Sequence, residues 1–142
     1  MILVSACLLG QCCRYDGKSK PDPKVLELNS KELLLPVCPE QMGGLPTPRT
    51  PVERRGERAV DREGKDRTEQ FKKGAEEACR LAKLYGCRTA ILKSRSPSCG
   101  CGQIYDGSFS HTLTEGDGFA AEALKMAGIH VLTEEELDAC LA

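Results

Sequence analysis

Three cysteines, Cys7, Cys38 and Cys99, stand in the same kind of place in this chain: each closes an apolar, β-like run and opens a loop. In an open α/β sheet, ligands collect where parallel strands end. Three thiols delivered to that edge could converge on one metal centre, and thiolates are soft ligands suited to iron–sulfur clusters and other thiophilic metals. Three protein ligands are also one short of a closed four-ligand set, which leaves a position for chemistry.

Two further segments carry reactive groups. Glu40 lies two residues after Cys38, and in an extended segment such positions face the same way. Its carboxylate could therefore share a cavity with the thiols and serve as a general base. The stretch 93–100 follows a strand-like run and holds Lys93, Arg95, three hydroxyls among Ser94, Ser96 and Ser98, and Cys99. Pro97 fixes its own φ and restricts Ser96, so the hydroxyls are well placed to hold an oxygen-rich substrate or move a proton. Composition does not separate Ser96 from Ser98. The segment lacks the glycine-rich loop of a nucleotide site.

The other thiols read differently. Cys79, Cys87 and Cys140 fall in or beside helices and a buried strand, where cysteine packs as a small apolar residue. Cys12 and Cys13 are adjacent and could hardly both enter one site. Cys101 lies in a turn where exposure is expected. His111 and His130 have no partner at metal-ligand spacing and read as structural or solvated. No CxxC pair signals a zinc finger.

Nine cysteines in 142 residues, with no basic leader before the apolar start, suggest a reducing, cytoplasmic setting in which structural disulfides are rare. The formal net charge of −1 gives no electrostatic reason to expect nucleic acid or an anionic membrane. Tryptophan is absent and aromatics are 4%, which argues against a base-stacking platform. No run is long enough to span a bilayer.

The elements that must position these residues alternate between strand and helix. Strands are expected at 2–6, 33–37, 89–93 and 129–132, and a short helix near 24–29. The most secure helix covers 66–85, with Phe71, Gly74, Ala75, Ala78, Leu81, Ala82 and Tyr85 on one face, an Asp66/Glu69 start and a stop at Gly86. A short strand or hairpin is expected at 104–109 and a helix at 117–127. Thr133 and Glu136 cap a last helix carrying Leu137, Cys140 and Leu141. Residues 39–65 show no regular pattern. They read as an active-site loop followed, at 52–65, by a charged, mobile flap with no apolar face. The expected architecture is one α/β domain over residues 1–142, three-layered and Rossmann-like, with a mostly parallel sheet.

Five motifs occur in order: Val4 to Gly10; Cys13-Arg14-Tyr15-Asp16-Gly17; Cys38-Pro39-Glu40 with the segment Gly43 to Arg49; Ser96 to Gly100; and Ile104-Tyr105-Asp106-Gly107. Together they resemble a bacterial family first known as a domain of unknown function, DUF523, whose characterised members are thiouracil desulfidases. The resemblance spans essentially the whole chain. It implies a [4Fe-4S] cluster held by Cys7, Cys38 and Cys99 with one iron free of protein ligand, and Glu40 and Ser96 as catalytic residues. Ser98, Asp16 and Arg49 stand in the same motifs and are candidates for holding substrate, with Asp16 the next candidate for the base. The implied reaction is non-redox: a small thiolated heterocycle loses its thiocarbonyl sulfur as hydrogen sulfide and gains oxygen from water. Cys13 is a poor ligand candidate by that resemblance, and Cys12 and Cys101 fall outside it. The competing reading is a non-catalytic metal- or sulfur-handling protein that carries a cluster, zinc or a persulfide. The sequence leaves the oligomeric state open.

Overall fold

A computed structural model describes residues 1–137 of the chain. Its centre is a four-stranded sheet in the order β2-β1-β5-β8, built from β1 (Ile2–Ser5), β2 (Leu34–Val37), β5 (Thr89–Leu92) and β8 (His130–Thr133). All three neighbouring pairs are parallel. The near-continuous apolar runs seen in the sequence are those of strands covered on both faces. Alternate residues go to opposite sides. Leu3, Ala90, Leu92 and Val131 pack with Ala78, Ala82, Ala121 and Leu124. Val4 and Ile91 pack with Cys7, Leu8, Val25, Leu28 and Leu137. The first face is covered by α3 (Thr68–Leu84) and α4 (Phe119–Met126), and the second by α1 (Pro23–Leu28) with the 3₁₀ turn Ala6–Leu9. The result is the three-layered, Rossmann-like arrangement expected.

Helix ends follow the sequence signals closely. Asp22 caps α1 by accepting from the amides of Lys24 and Val25. Gly86 and Gly128 both take positive φ just past α3 and α4, the left-handed step that ends a helix. Helix α3 begins two residues later than expected. Asp66 accepts from the Thr68 amide at 2.8 Å, while Arg67 holds the cap position without a side-chain bond. Thr133 and Glu136 form the expected capping box, and Leu137 is fully buried. Cys140 and Leu141 lie outside the described residues.

Residues 52–65 correct the sequence reading. Instead of a mobile flap they form an antiparallel hairpin, β3 (Val52–Arg55) and β4 (Arg58–Asp61). Val52 and Ala59 bury against Leu45, Phe71, Ala75, Phe119 and Ala120 in a third apolar cluster. The pattern was hidden because one inward position is an arginine. Arg54 is 8% exposed and lies with its guanidinium 4.1 Å from the centre of the Phe119 ring. It donates to the carbonyls of Gly56 and Asp117 and to the Glu122 carboxylate. A second hairpin, β6 (Gln103–Tyr105) with β7 (Leu113–Glu115), is longer than the strand or hairpin expected at 104–109, and residues 106–109 belong to its connecting loop. The two hairpins are tied where Glu53 accepts from the amides of Gly107 and Phe109.

Candidate active site

The order β2-β1-β5-β8 places a topological switch point between β1 and β5, because the chain leaves β1 toward one edge of the sheet and β5 toward the other. Ligands of such sheets bind in the crevice beyond the carboxyl ends of those strands. A cavity of about 230 Å³ opens there, and Cys7, Cys38 and Cys99 all line it. Cys7 follows β1 in the turn Ala6–Leu9, Cys38 follows β2, and Cys99 lies within the loop between β5 and β6.

Glu40 reaches the same cavity by a different route from the one expected. The segment after Cys38 is not extended: Pro39–Met42 forms one helical turn, α2, with Cys38 at its cap position. That turn lies directly on α3. A methyl group on Gly74 would overlap the carbonyl of Pro39, and one on Gly43 would overlap the carbonyl of Gln70. The two glycines let the main chains touch and so fix where Glu40 points.

The Ser96–Gly100 loop is fixed from the other side by α4. The amide of Phe119 donates to the carbonyl of Pro97 at 2.9 Å, and that of Ala120 to the carbonyl of Ser98 at 2.8 Å. These bonds satisfy amides that a helix start otherwise leaves without partners. Gly118 permits the approach, since a Cβ there would strike the Ser98 main chain.

Between these elements runs one hydrogen-bonded chain. Ser98 Oγ donates to Glu40 Oε2 at 2.8 Å, and Arg49 Nε donates to Glu40 Oε1 at 3.0 Å. Ser96 Oγ lies 3.0 Å from Ser98 Oγ and accepts from the amides of Ser98 and Cys99. A hydroxyl has a single proton. With Ser98's proton on Glu40, Ser96 must be the donor between the two serines. The direction is therefore Ser96 to Ser98 to Glu40.

Arg49 gives three further hydrogen bonds to the chain itself, to the carbonyls of Pro46 and Cys13 and to Thr47 Oγ1. It orients Glu40 and anchors the Cys13 loop while forming part of the cavity wall. Asp16 stays outside the cavity. It is exposed and accepts from the Lys18 amide in a surface turn.

Several cavity residues escaped the sequence reading. Cys13 is 4% exposed and lines the cavity, whereas Cys12 is exposed. Ser5, buried in β1, accepts from the Lys93 amide at 2.9 Å and also contacts the Cys99 thiol. Its signal was available, as the one hydroxyl in an apolar run. Lys93 pairs with Glu134 at 3.0 Å, and Glu134 also accepts from the Ser94 amide. That pair had no local signature, because its partners are distant in sequence. His111, exposed at the cavity edge, meets Tyr105 edge-on. Cys101 is half-buried against the core, where its thiol points at the Val131 carbonyl, rather than exposed as expected. Cys79 and Cys87 pack in the core as expected.

Three of the cavity thiols, Cys13, Cys38 and Cys99, are held in the protonated form. The Cys13 thiol lowers no barrier to ionising Cys38: their contact, followed by burial, pushes Cys38 far up. Cys38 pulls Cys13 down, but contact with the Cys7 thiol and burial outweigh it and raise Cys13 to about 11. Burial pushes Cys99 up to about 12 against the opposing Ser5 contact. Thiols in this condition are poor nucleophiles, and a thiophilic metal would have to displace their protons. Among the described residues no three donor side chains close on a single point to hold one metal ion. Soft donors spread around a cavity, Cys7 and Cys99 buried and Cys38 partly so, fit a multi-iron cluster.

An open, parallel α/β sheet with thiols and a carboxylate–serine chain at its switch point defines a Rossmann-like protein with a thiol-lined cavity. The chain belongs to the 2-thiouracil desulfurase family, whose sequence profile it matches over residues 2–136. It is 40% identical over 148 aligned positions to the uncharacterised protein YbbK of Bacillus subtilis (strain 168), covering 97% of this chain and 98% of that one. It also superposes on the solved structure of TudS (DUF523Vcz), a [4Fe-4S]-dependent thiouracil desulfidase, with a TM-score of 0.92 and 46% identity. That match covers 97% of this chain and 93% of the other. Among the described residues no helix is long and apolar enough to cross a membrane.

Proposed function

We propose that this chain is a [4Fe-4S]-dependent desulfidase that converts the thiocarbonyl of a small, thiouracil-type heterocycle to a carbonyl and releases hydrogen sulfide. The observation that carries the reading is the meeting of Cys7, Cys38 and Cys99 with the Ser96–Ser98–Glu40–Arg49 chain in one cavity. A carrier of metal or sulfur needs the thiols but has no use for an oriented carboxylate with two hydroxyls behind it. Family membership and the likeness to TudS support the same reading.

Cys7, Cys38 and Cys99 would hold the cluster and leave one iron without a protein ligand. When bound, the cluster supplies a thiophilic Lewis acid that polarises a carbon–sulfur double bond. The chain's own residues supply the proton handling. Arg49 and Ser98 each occupy one lone pair of Glu40, and each carboxylate oxygen keeps another. Glu40 would take a proton from the attacking water there. The hydroxyls of Ser98 and Ser96, in line with it, would carry a proton between Glu40 and the heterocycle. The balance is water in, hydrogen sulfide out, with no change in oxidation state.

The test is anaerobic reconstitution with iron and sulfide, followed by incubation with 2-thiouracil. Uracil and sulfide should form in equal amounts, and only with cluster-loaded protein. Fully loaded protein that leaves a panel of thiolated pyrimidines unchanged would overturn the proposal.

A further inference from the structure

Glu53 is a second carboxylate on the wall of the same cavity, and the proposed proton handling gives it no task. It stands on β3 between Val52 and Arg54, both buried. Successive residues of a strand face opposite ways, so Glu53 looks away from the apolar cluster that holds Val52. The second hairpin fixes its place. Glu53 Oε1 accepts from the amides of Gly107 at 3.0 Å and Phe109 at 3.1 Å, while Arg55 Nε donates to the Gly107 carbonyl at 2.7 Å. The clamped loop carries Phe109 and His111 at φ of 57°, a left-handed conformation that persists in such residues only where the surroundings hold it. Both amide bonds fall on one oxygen, and among the described residues neither a hydrogen bond to Oε2 nor an ion pair to Glu53 is formed. Asp61 Oδ2 is the one buried side-chain oxygen without a partner among those residues. Glu53 Oε2 is therefore open to an incoming group.

Resting on the desulfidase reading above, we infer that Glu53 Oε2 accepts a ring N–H of the thiolated heterocycle and so decides which rings the cavity takes. In a thiouracil-type ring the thiocarbonyl is flanked by N–H, a donor that needs a partner once it leaves water. Among the described residues lining the cavity, two carry carboxylates, Glu40 and Glu53. Both oxygens of Glu40 already accept a side-chain bond, and its remaining lone pairs serve the attacking water. Lys93 and Arg95, also on the wall, are donors and cannot take an N–H. Glu53 offers a charged acceptor with one oxygen immobilised and the other open. Bonds to an ionised acceptor are the stronger ones, and an acceptor already held in place loses little freedom on binding. A ring whose N–H is replaced by N-methyl forfeits the bond and leaves the carboxylate oxygen without a partner. Glu53 is thus a binding residue that selects rings with a free N–H.

The experiment uses anaerobically reconstituted holoprotein and compares wild type with Glu53→Gln on 2-thiouracil and on its N1-methyl and N3-methyl forms. Gln keeps a carbonyl oxygen for the Gly107 and Phe109 amides but presents an NH2 in place of Oε2. Iron content and hydrogen exchange at those two amides show whether cluster and loop are intact. In wild type, methylation of one of the two nitrogens should raise KM about ten- to a hundredfold, the scale of one hydrogen bond to a charged group, with little change in kcat. Glu53→Gln should raise KM for 2-thiouracil by a similar factor and lose most of the discrimination against the methylated ring. A variant with wild-type KM, or one that still rejects the methylated ring as strongly as wild type, would overturn the inference. A role confined to shaping the loop would weaken all three rings alike, and that result overturns it too. Equal KM for the three rings on wild type does so whether or not Glu53→Gln folds. Loaded wild-type protein that leaves 2-thiouracil unchanged removes the desulfidase reading itself, and the inference with it.

Discussion

Ser98 Oγ donates to Glu40 Oε2 across 2.8 Å, joining a loop after β5 to the turn after β2, 58 positions apart in the chain. Neither residue reaches the other through its own segment alone. The turn carrying Glu40 is set by the contact of Gly43 and Gly74 with facing main chain, and the loop carrying Ser98 by the amides at the start of α4. The pairing therefore reports the whole arrangement of helices around the sheet edge.

If this pairing serves proton transfer, Glu40→Gln should keep its iron and still bind a thiolated base. Turnover should fall at least about a hundredfold, the scale for losing a general base. Ser98→Ala should fall comparably, because it cuts Ser96 off from the carboxylate. Steady-state kinetics with iron quantification checks this. Unchanged turnover in Glu40→Gln would move the base elsewhere.

Single replacement of Cys7, Cys38 or Cys99 by Ser should abolish cluster retention. Cys79→Ser, whose side chain packs against the core, should retain iron and lose only stability. Iron and sulfide analysis after anaerobic gel filtration separates the two groups, and full iron in all four would sink the ligand assignment.

Gly74→Ala should disturb both folding and turnover, because its methyl group would overlap the Pro39 carbonyl in the turn that carries Glu40. Overpacking of this kind costs about 1–3 kcal/mol. Urea unfolding measures the loss. A substitution neutral in both stability and activity would show that α2 and α3 need not touch.

The β3–β4 hairpin should resist proteolysis and protect its paired amides from hydrogen exchange, since Val52 and Ala59 are buried. Arg54→Met should destabilise the protein by about 1.5–3 kcal/mol, the range for hydrogen bonds to a charged group. Exchange at residues 52–61 as fast as in an exposed loop would restore the picture of a flap.

The Asp66 carboxyl is held down to about 2 by the Thr68 hydroxyl first, then by the Thr68 amide and Arg58. A depressed folded-state pKa contributes stability above the unfolded value, near 3.8, and that contribution is lost as pH falls through about 2. Stability of wild type should therefore drop relative to Asp66→Asn over that window and run parallel to it at higher pH. An NMR titration of the carboxyl that centred near 3.8 would contradict the assignment.

The amino-acid sequence by itself determined the four strands of the central sheet and the stops of the long helices. Apolar runs of four or five residues read as covered strands, and Gly86 and Gly128 as helix ends, because both signals are local. It also determined that thiols would gather: a cysteine after each of β1 and β2, and one in the loop after β5, must come to one edge once those strands are parallel neighbours. Tertiary structure decided the rest. It turned Val52 to Asp61 into a hairpin, because an arginine can face inward when an aromatic ring and a carboxylate wait for it. It brought Glu40 to the cavity through a helical turn rather than an extended segment, and drew Arg49 into holding that carboxylate. It set Asp16 aside in a surface turn. It also chose Cys13 over Cys12, a choice that no spacing expresses, because which of two adjacent thiols faces inward depends on how distant Arg49 and Cys38 hold the loop between them.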